Sequence, residues 1–451
     1  MTVFRSRRVA LPSGFREATV HVERGRITRI GAYDDVEAGA PVEEVECALL
    51  PGVVDTHVHV NEPGRTEWEG FETATRAACA GGITTIVDMP LNSIPPATSA
   101  RGVATKAALT EGRVHVDVGL WGGAIPDNTT GNRRGLAEIL AEGARGFKCF
   151  LVPSGVDEFP FVRESDVEAA LAQLRGTGVR LMVHAELAEP IDAVADAVAK
   201  LDPRAYATYL ASRPPSAEDR AVELLYRLSK KSGVPIHVVH LSSAGALETI
   251  ARARDEGVDL TAETAPHYLH FTAEGIPDGA TWYKCAPPIR EERNRERLWD
   301  ALKQGLISMV VSDHSPCIPE LKRTDTGDFM SAWGGIGGLQ FGFSAVWTEA
   351  SKRGASLLDV VEWMSVAPAR HAGLEGKKGA IAVGCDADFV AFDDASTFTV
   401  ERDRIQFKNK LTPYDGETLR GVVRSTWLRG ERVFDGLEPS SARRGEWLKR
   451  A

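Results

Sequence analysis

The hydrophobic pattern changes twice along the chain. The first 50 residues hold short apolar runs broken by turns, such as ATVHVERGRITRIG at 18–31, with the period-2 alternation of half-buried strands. From about residue 51, near-continuous apolar runs recur. They are GVVDTHVHV (52–60), ITTIVDMPL (83–91), VHVDVGLWG (114–122), ARGFKCFLV (144–152), VRLMVHAE (179–186), PIHVVHLSS (235–243), VDLTAETAPHYL (258–269) and ISMVVSDHSP (307–316). Each is followed by a segment of helical periodicity. Eight such strands alternating with helices predict an α/β fold with a parallel sheet, most simply a closed TIM-like (β/α)8 barrel. Three connections are long (187–234, 272–305 and from 317 onward) and are expected to hold lids or extra helices. After Gly376 the texture is β-like again, in GAIAVGCDADFVAFD and LRGVVRSTWLRGERVFDG. The expected division is 1–50 and 377–451 as two parts of one composite β domain, with the barrel at 51–376.

Composition narrows the class. The 451 residues are 43% hydrophobic and 26% charged, enough for a large core without metal or disulfide staples. A net charge of −10 argues against nucleic acid as a partner. The start lacks the apolar stretch of a signal peptide, and no apolar run is long enough to cross a membrane. The six cysteines form no CxxC pair, which fits free thiols in a reducing cytoplasm.

Ionisable residues that do not belong in buried strands fall near the strands' C-terminal ends. The first strand ends in His57-Val58-His59, the fourth holds Lys148, the fifth ends at His184, the sixth at His240 and the eighth at Asp313. Singly, each has an ordinary reading: a hydrogen-bonded core histidine, a strand-end pair of Asp313 with His314, a snorkelling or ion-paired Lys148. Together they mark the face where barrel active sites lie. His-x-His on a strand puts both imidazoles on one side. Four histidines and an aspartate exceed the three ligands of one catalytic zinc. Two metals about 3.5–4 Å apart are therefore inferred, with Lys148 the remaining candidate to bridge them. Imidazole and carboxylate suit Zn, Co, Mn or Fe.

The pieces PGVVDTHVHVNEPGRTEWEGFETATRAACAGGITTIVDMPLNS, GFKCFLVPSGVDEFP, YLASRPPSAE, HVVHLSSA, AETAPHYL, KCAPPIRE, VSDHSPC and SAWGGIGGLQ resemble the cyclic amidohydrolases of the amidohydrolase superfamily. HVNEPGRTEWEG and DMPLNS are similar to the allantoinases among them. The resemblance implies that carbon dioxide carboxylates Lys148 and that the carbamate bridges two metals. One metal would be held by His57, His59 and Asp313, the other by His184 and His240. Replacing an ammonium by an anion beside two dications is strongly favourable electrostatically. The resemblance further implies a cyclic amide as substrate, allantoin in the first place, opened by a metal-bridged hydroxide with Asp313 as proton shuttle. It also implies a place in purine breakdown and a homotetramer.

Substrate contacts are expected from Asn92, Ser315 and the backbone of Ala286. Asn92 reads equally as a turn residue and Ser315 as a helix N-cap. The AWGGIGGLQ segment at Trp333 reads as a flexible pocket wall, and Arg65, Glu67 and Glu69 as residues that order the loop after the first strand. Dihydroorotases would carry an arginine where this chain has Asn61. Hydantoinases or dihydropyrimidinases remain an enzymatic alternative, and a non-catalytic scaffold relative another.

Overall fold

The run Ile83–Asp88 is buried at every position, as a parallel strand covered on both faces requires. In the computed structural model, which describes residues 1–132 and 134–450, this run is the second strand of a closed barrel. Val53–Val58, Ile83–Asp88 and Asp117–Leu120 pair in parallel. The third predicted run splits at Trp121, and its second piece, Gly122–Gly123, pairs with Phe147–Phe150. Leu181–His184, Ile236–Val238, Leu260–Thr264 and Met309–Val310 follow in order. A parallel bridge from Val58 to His314 closes the ring, and His59 N–H donates to the His314 carbonyl at 2.8 Å.

The outer helices follow from sequence period. Pro215–Ser232 buries Ala217, Ala221, Val222, Leu225 and Leu228 on one face, a 3.6-residue stripe. It ends at Gly233, whose φ of 70° is the left-handed conformation that glycine adopts freely. The long connections carry structure of their own. Residues 187–234 hold Ala188–Val198, Tyr206–Ser212 and Pro215–Ser232, and Glu292–Lys303 lies in the second.

A second sheet takes strands from both chain ends. Its order runs Glu431–Phe434, Thr418–Leu428, Phe389–Thr399, Ala48–Pro51, Thr2–Leu11, Gly14–Glu23, Arg26–Gly31, with Val42–Glu44 paired to Thr2–Leu11. Its apolar face packs Phe4 against Phe389 and Trp427, with ring centroids 4.8 and 5.5 Å apart. Ala48–Pro51 pairs with Phe389–Thr399 and runs almost directly into the first barrel strand, so the sheet holds that strand from below. A buried charge cluster reinforces the junction. Lys378 Nζ lies 2.6 Å from Asp117, 2.7 Å from Asp388 and 2.9 Å from Asp386, and Arg429 adds a contact of 2.7 Å to Asp117. The ammonium already fills the centre of these carboxylates. Among the described residues, no helix is long and apolar enough to cross a membrane.

Candidate metal centre

Six barrel side chains meet at the C-terminal end of the strands. His57 and Lys148 lie within strands and His184 ends one. His59, His240 and Asp313 stand just past their strands, beyond the positions the apolar runs suggested. His240 and Asp313 have φ of 38° and 45°. This left-handed backbone is uncommon for residues other than glycine, and the surrounding barrel must hold it in place. Asp313 Oδ1 comes within 3.2 Å of His57 Nε2 and 3.4 Å of His59 Nε2. His184 Nδ1 lies 3.0 Å from His240 Nε2. All six are buried.

The donor arithmetic calls for a cation. Glu263, at the end of the seventh strand, touches His57 Nδ1 at 2.5 Å and His237 Nε2 at 3.0 Å. Burial raises the Glu263 carboxyl, but the histidines outweigh it and hold it well below its ordinary value. A carboxylate only accepts hydrogen bonds, so His57 Nδ1 carries a proton, and Nε2 is the nitrogen left to take a further cation, whether a second proton or a metal ion in its place. That nitrogen faces a carboxylate oxygen of Asp313. On the other side, Glu186 Oε2 sits 2.7 Å from His184 Nε2, which leaves His184 Nδ1 bare toward His240. Partners of this kind fix the tautomer of metal-binding histidines. His57 Nε2, His240 Nδ1 and Lys148 Nζ are buried without a hydrogen-bond partner. Ligand atoms of His57, His240 and Asp313 lie within 4.8 Å of one another. The residues present therefore fit divalent metal.

Lys148 is fully buried, its ammonium 4.9 Å from the Phe150 ring centre. Burial pushes its pKa down to about 8, against the pull of Glu263 and Asp313. Burial likewise brings His59 down to about 4. It pushes Asp313 up, but His57 and His59 prevail and bring that carboxyl to about 2.

These residues line a cavity of about 90 Å³ together with Asn92, Ser315, Ala286, Phe150, Ser154, Arg213 and Trp333. All three expected substrate contacts thus reach it. Asn92 has φ of 71° and an unpartnered Oδ1. No helix begins at Ser315, whose N–H donates to the Ile336 carbonyl at 2.9 Å, so it is not an N-cap. The Trp333 segment is pinned rather than loose. Its N–H donates to Leu321 O at 2.7 Å, Lys322 Nζ donates to its carbonyl at 3.0 Å, and Lys284 Nζ donates to Ala332 O at 2.6 Å. Two buried ammonium groups that need acceptors account for that order. In the loop after the first strand, Arg65 and Glu69 make side-chain contacts while Glu67 is exposed.

Glu186, Glu263, Arg213 and His237 were not singled out from sequence. The only signal was a carboxylate inside an apolar run, as in LTAET. Arg213 grips Glu186 through Nε at 3.1 Å and Nη2 at 2.8 Å.

A family profile described as the amidohydrolase family matches residues 48–433. An allantoinase of Streptomyces avermitilis is 52% identical over 434 residues, covering 96% of this chain and 95% of that one. An allantoinase of Saccharomyces cerevisiae is 45% identical, covering 93% and 88%. Among solved structures, an L-hydantoinase (dihydropyrimidinase) from Arthrobacter aurescens superposes with a TM-score of 0.93 at 30% identity, covering 100% and 99%. A dihydropyrimidinase from Brevibacillus agri gives 0.90 at 30% identity, covering 100% and 98%.

Proposed function

The chain belongs to the amidohydrolase family, and on that premise we propose that it opens the hydantoin ring of allantoin by hydrolysis to give allantoate. The observation that carries the substrate is the near full-length identity to allantoinases, well above that to the hydantoinases.

His57, His59 and Asp313 would hold one divalent ion and His184 and His240 a second, most simply zinc, with Lys148 between them. Bound there, the ions would lower the pKa of a water molecule and polarise the ring carbonyl. The chain's own residues do the rest. A buried Lys148 with a lowered pKa offers the neutral amine that adds to carbon dioxide, forming an N–C bond and losing a proton. The resulting carbamate is an anion where an ammonium would be repelled. Glu263 and Glu186 keep the lone pairs of His57 Nε2 and His184 Nδ1 turned inward. Asp313 is placed to take a proton at its carboxylate from the attacking water and to pass it to the leaving ring nitrogen. Asn92 presents an amide that both donates and accepts, matching the alternating N–H and C=O groups of a ureide. Ser315 and the Ala286 backbone close the opposite wall. Family resemblance supports a homotetramer, and six unpaired cysteines support a reducing cytoplasm. On the division at 1–50, 51–376 and 377–451, all of this chemistry lies in the middle piece.

The test is turnover of allantoin, hydantoin, dihydrouracil and dihydroorotate by protein prepared with bicarbonate and zinc, cobalt or manganese. Preference for allantoin is expected. Preference for another ring would move the protein to a sister activity.

A further inference from the structure

Arg65 ties together loops that form one side of the cavity. It lies after the first barrel strand, and its Nη1 donates to the Asn92 carbonyl, after the second strand, at 2.9 Å. Its Nη2 meets both carboxylate oxygens of Glu158, after the fourth strand, at 3.1 and 3.3 Å. The guanidinium carbon lies 5.3 Å from the centre of the Trp68 ring. That ring meets Trp333 edge-on at 4.9 Å. Directly, or through Trp68 on its own loop, this side chain is thus linked to three other loops, two of which bring Asn92 and Trp333 to the cavity.

The two loops are also joined by backbone. Ile94 N–H donates to the Pro63 carbonyl at 2.8 Å. Between Pro63 and Arg65, Gly64 has φ of 90°, and a Cβ there would stand 2.5 Å from Ile94 Cβ. Only glycine permits this approach. At the other end of the clamp, Asn92 Oδ1 and Trp333 Nε1 are buried with no partner. One is an acceptor and the other a donor, and buried groups of this kind ordinarily find partners.

We propose that Arg65 is a positioning residue that sets Asn92 and Trp333 as an acceptor and donor pair for the substituent carried by the substrate ring. On the reading given above, that substituent is the ureido group of allantoin, whose N–H would donate to Asn92 and whose carbonyl would accept from Trp333. The clamp acts on the substituent and leaves the ring chemistry to the metal centre. Lysine cannot replace it fully, because a single ammonium does not reproduce the planar fork that meets a carbonyl and a carboxylate at once.

The experiment compares kcat and KM for allantoin and unsubstituted hydantoin in the parent, Arg65→Gln, Arg65→Lys, Glu158→Gln and Gly64→Ala, all loaded with the same metal. Arg65→Gln should lower kcat/KM for allantoin by about 10- to 100-fold, mainly through KM, while hydantoin turnover changes little. Arg65→Lys should recover part of the loss, and Gly64→Ala should share the phenotype. Glu158→Gln keeps Arg65 and most of the loop, so it gives a reading should the Arg65 variants fail to fold. An equal loss on both substrates, or no change in their ratio, would overturn the proposal. The parent's turnover alone decides whether allantoin is the substrate. If the parent rejects it, the same ratio is taken with hydantoin-5-acetamide, whose side-chain amide also donates and accepts.

Discussion

At the scale of single residues, the sequence is clearest where a polar group is out of place. Lys148 amid Phe147, Cys149 and Phe150 is improbable as a bare ammonium, and in the fold its Nζ is buried without a partner. Asp313→Asn should lower kcat by about 100- to 10,000-fold with a much smaller loss of bound metal, measured on the same sample. Equal loss of both would make Asp313 a ligand alone. Glu263→Gln removes the negative charge and leaves one acceptor oxygen and an NH2 donor where His57 and His237 each need an acceptor, and metal affinity or activity should fall by about 10- to 100-fold, read by metal titration. That second prediction was not legible in sequence. Glu263 is 206 residues from His57, and a lone glutamate at a strand end looks like a cap or turn residue. The ionisable positions stood out against an apolar background, whereas the pairing among them depends on barrel closure.

At the scale of elements, apolar runs located the strands but overstated how far they extend. Their periodicity does not show where the chain leaves the sheet. His240 and Asp313 lie two and three residues past the strands ending at Val238 and Val310, because left-handed turns bring them inward. The Trp333 segment misled in the opposite sense. Its glycines suggest freedom, but Lys322 and Lys284, 11 and 48 residues away from the carbonyls they meet, hold those of Trp333 and Ala332. The Lys378 cluster between sheet and barrel yields a stability prediction. Lys378→Met would leave Asp117, Asp386 and Asp388 without their shared cation and should cost about 3–5 kcal/mol, measured by denaturant unfolding. Burial lowers the Lys378 pKa, but Asp388 and Asp117 outweigh it and raise the value above normal. Its stabilisation is therefore complete below about pH 10.4 and is lost only as pH rises through the raised folded value. The gap between variant and parent should stay constant from neutral to mildly alkaline pH and close beyond it.

At the scale of the molecule, the two chain ends form one sheet whose Ala48–Pro51 strand feeds the barrel at Val53. The change of texture near residues 50 and 376 made two β segments legible, and with them one composite domain from both chain ends. The pairing register that joins them was not, since Ala48–Pro51 meets Phe389–Thr399 across more than 300 residues and no local pattern encodes that. The metal centre depends on the same closure, because His57 and Asp313 come from the first and last barrel strands. The most direct measurement is metal content together with turnover in parent and Lys148→Arg, each loaded with zinc and bicarbonate. The parent should hold about two ions per chain and hydrolyse allantoin. The variant, which keeps the positive charge but forms no carbamate, should lose metal and nearly all turnover. A Lys148→Arg protein with two ions and near-parental turnover would contradict the bridging role proposed for Lys148.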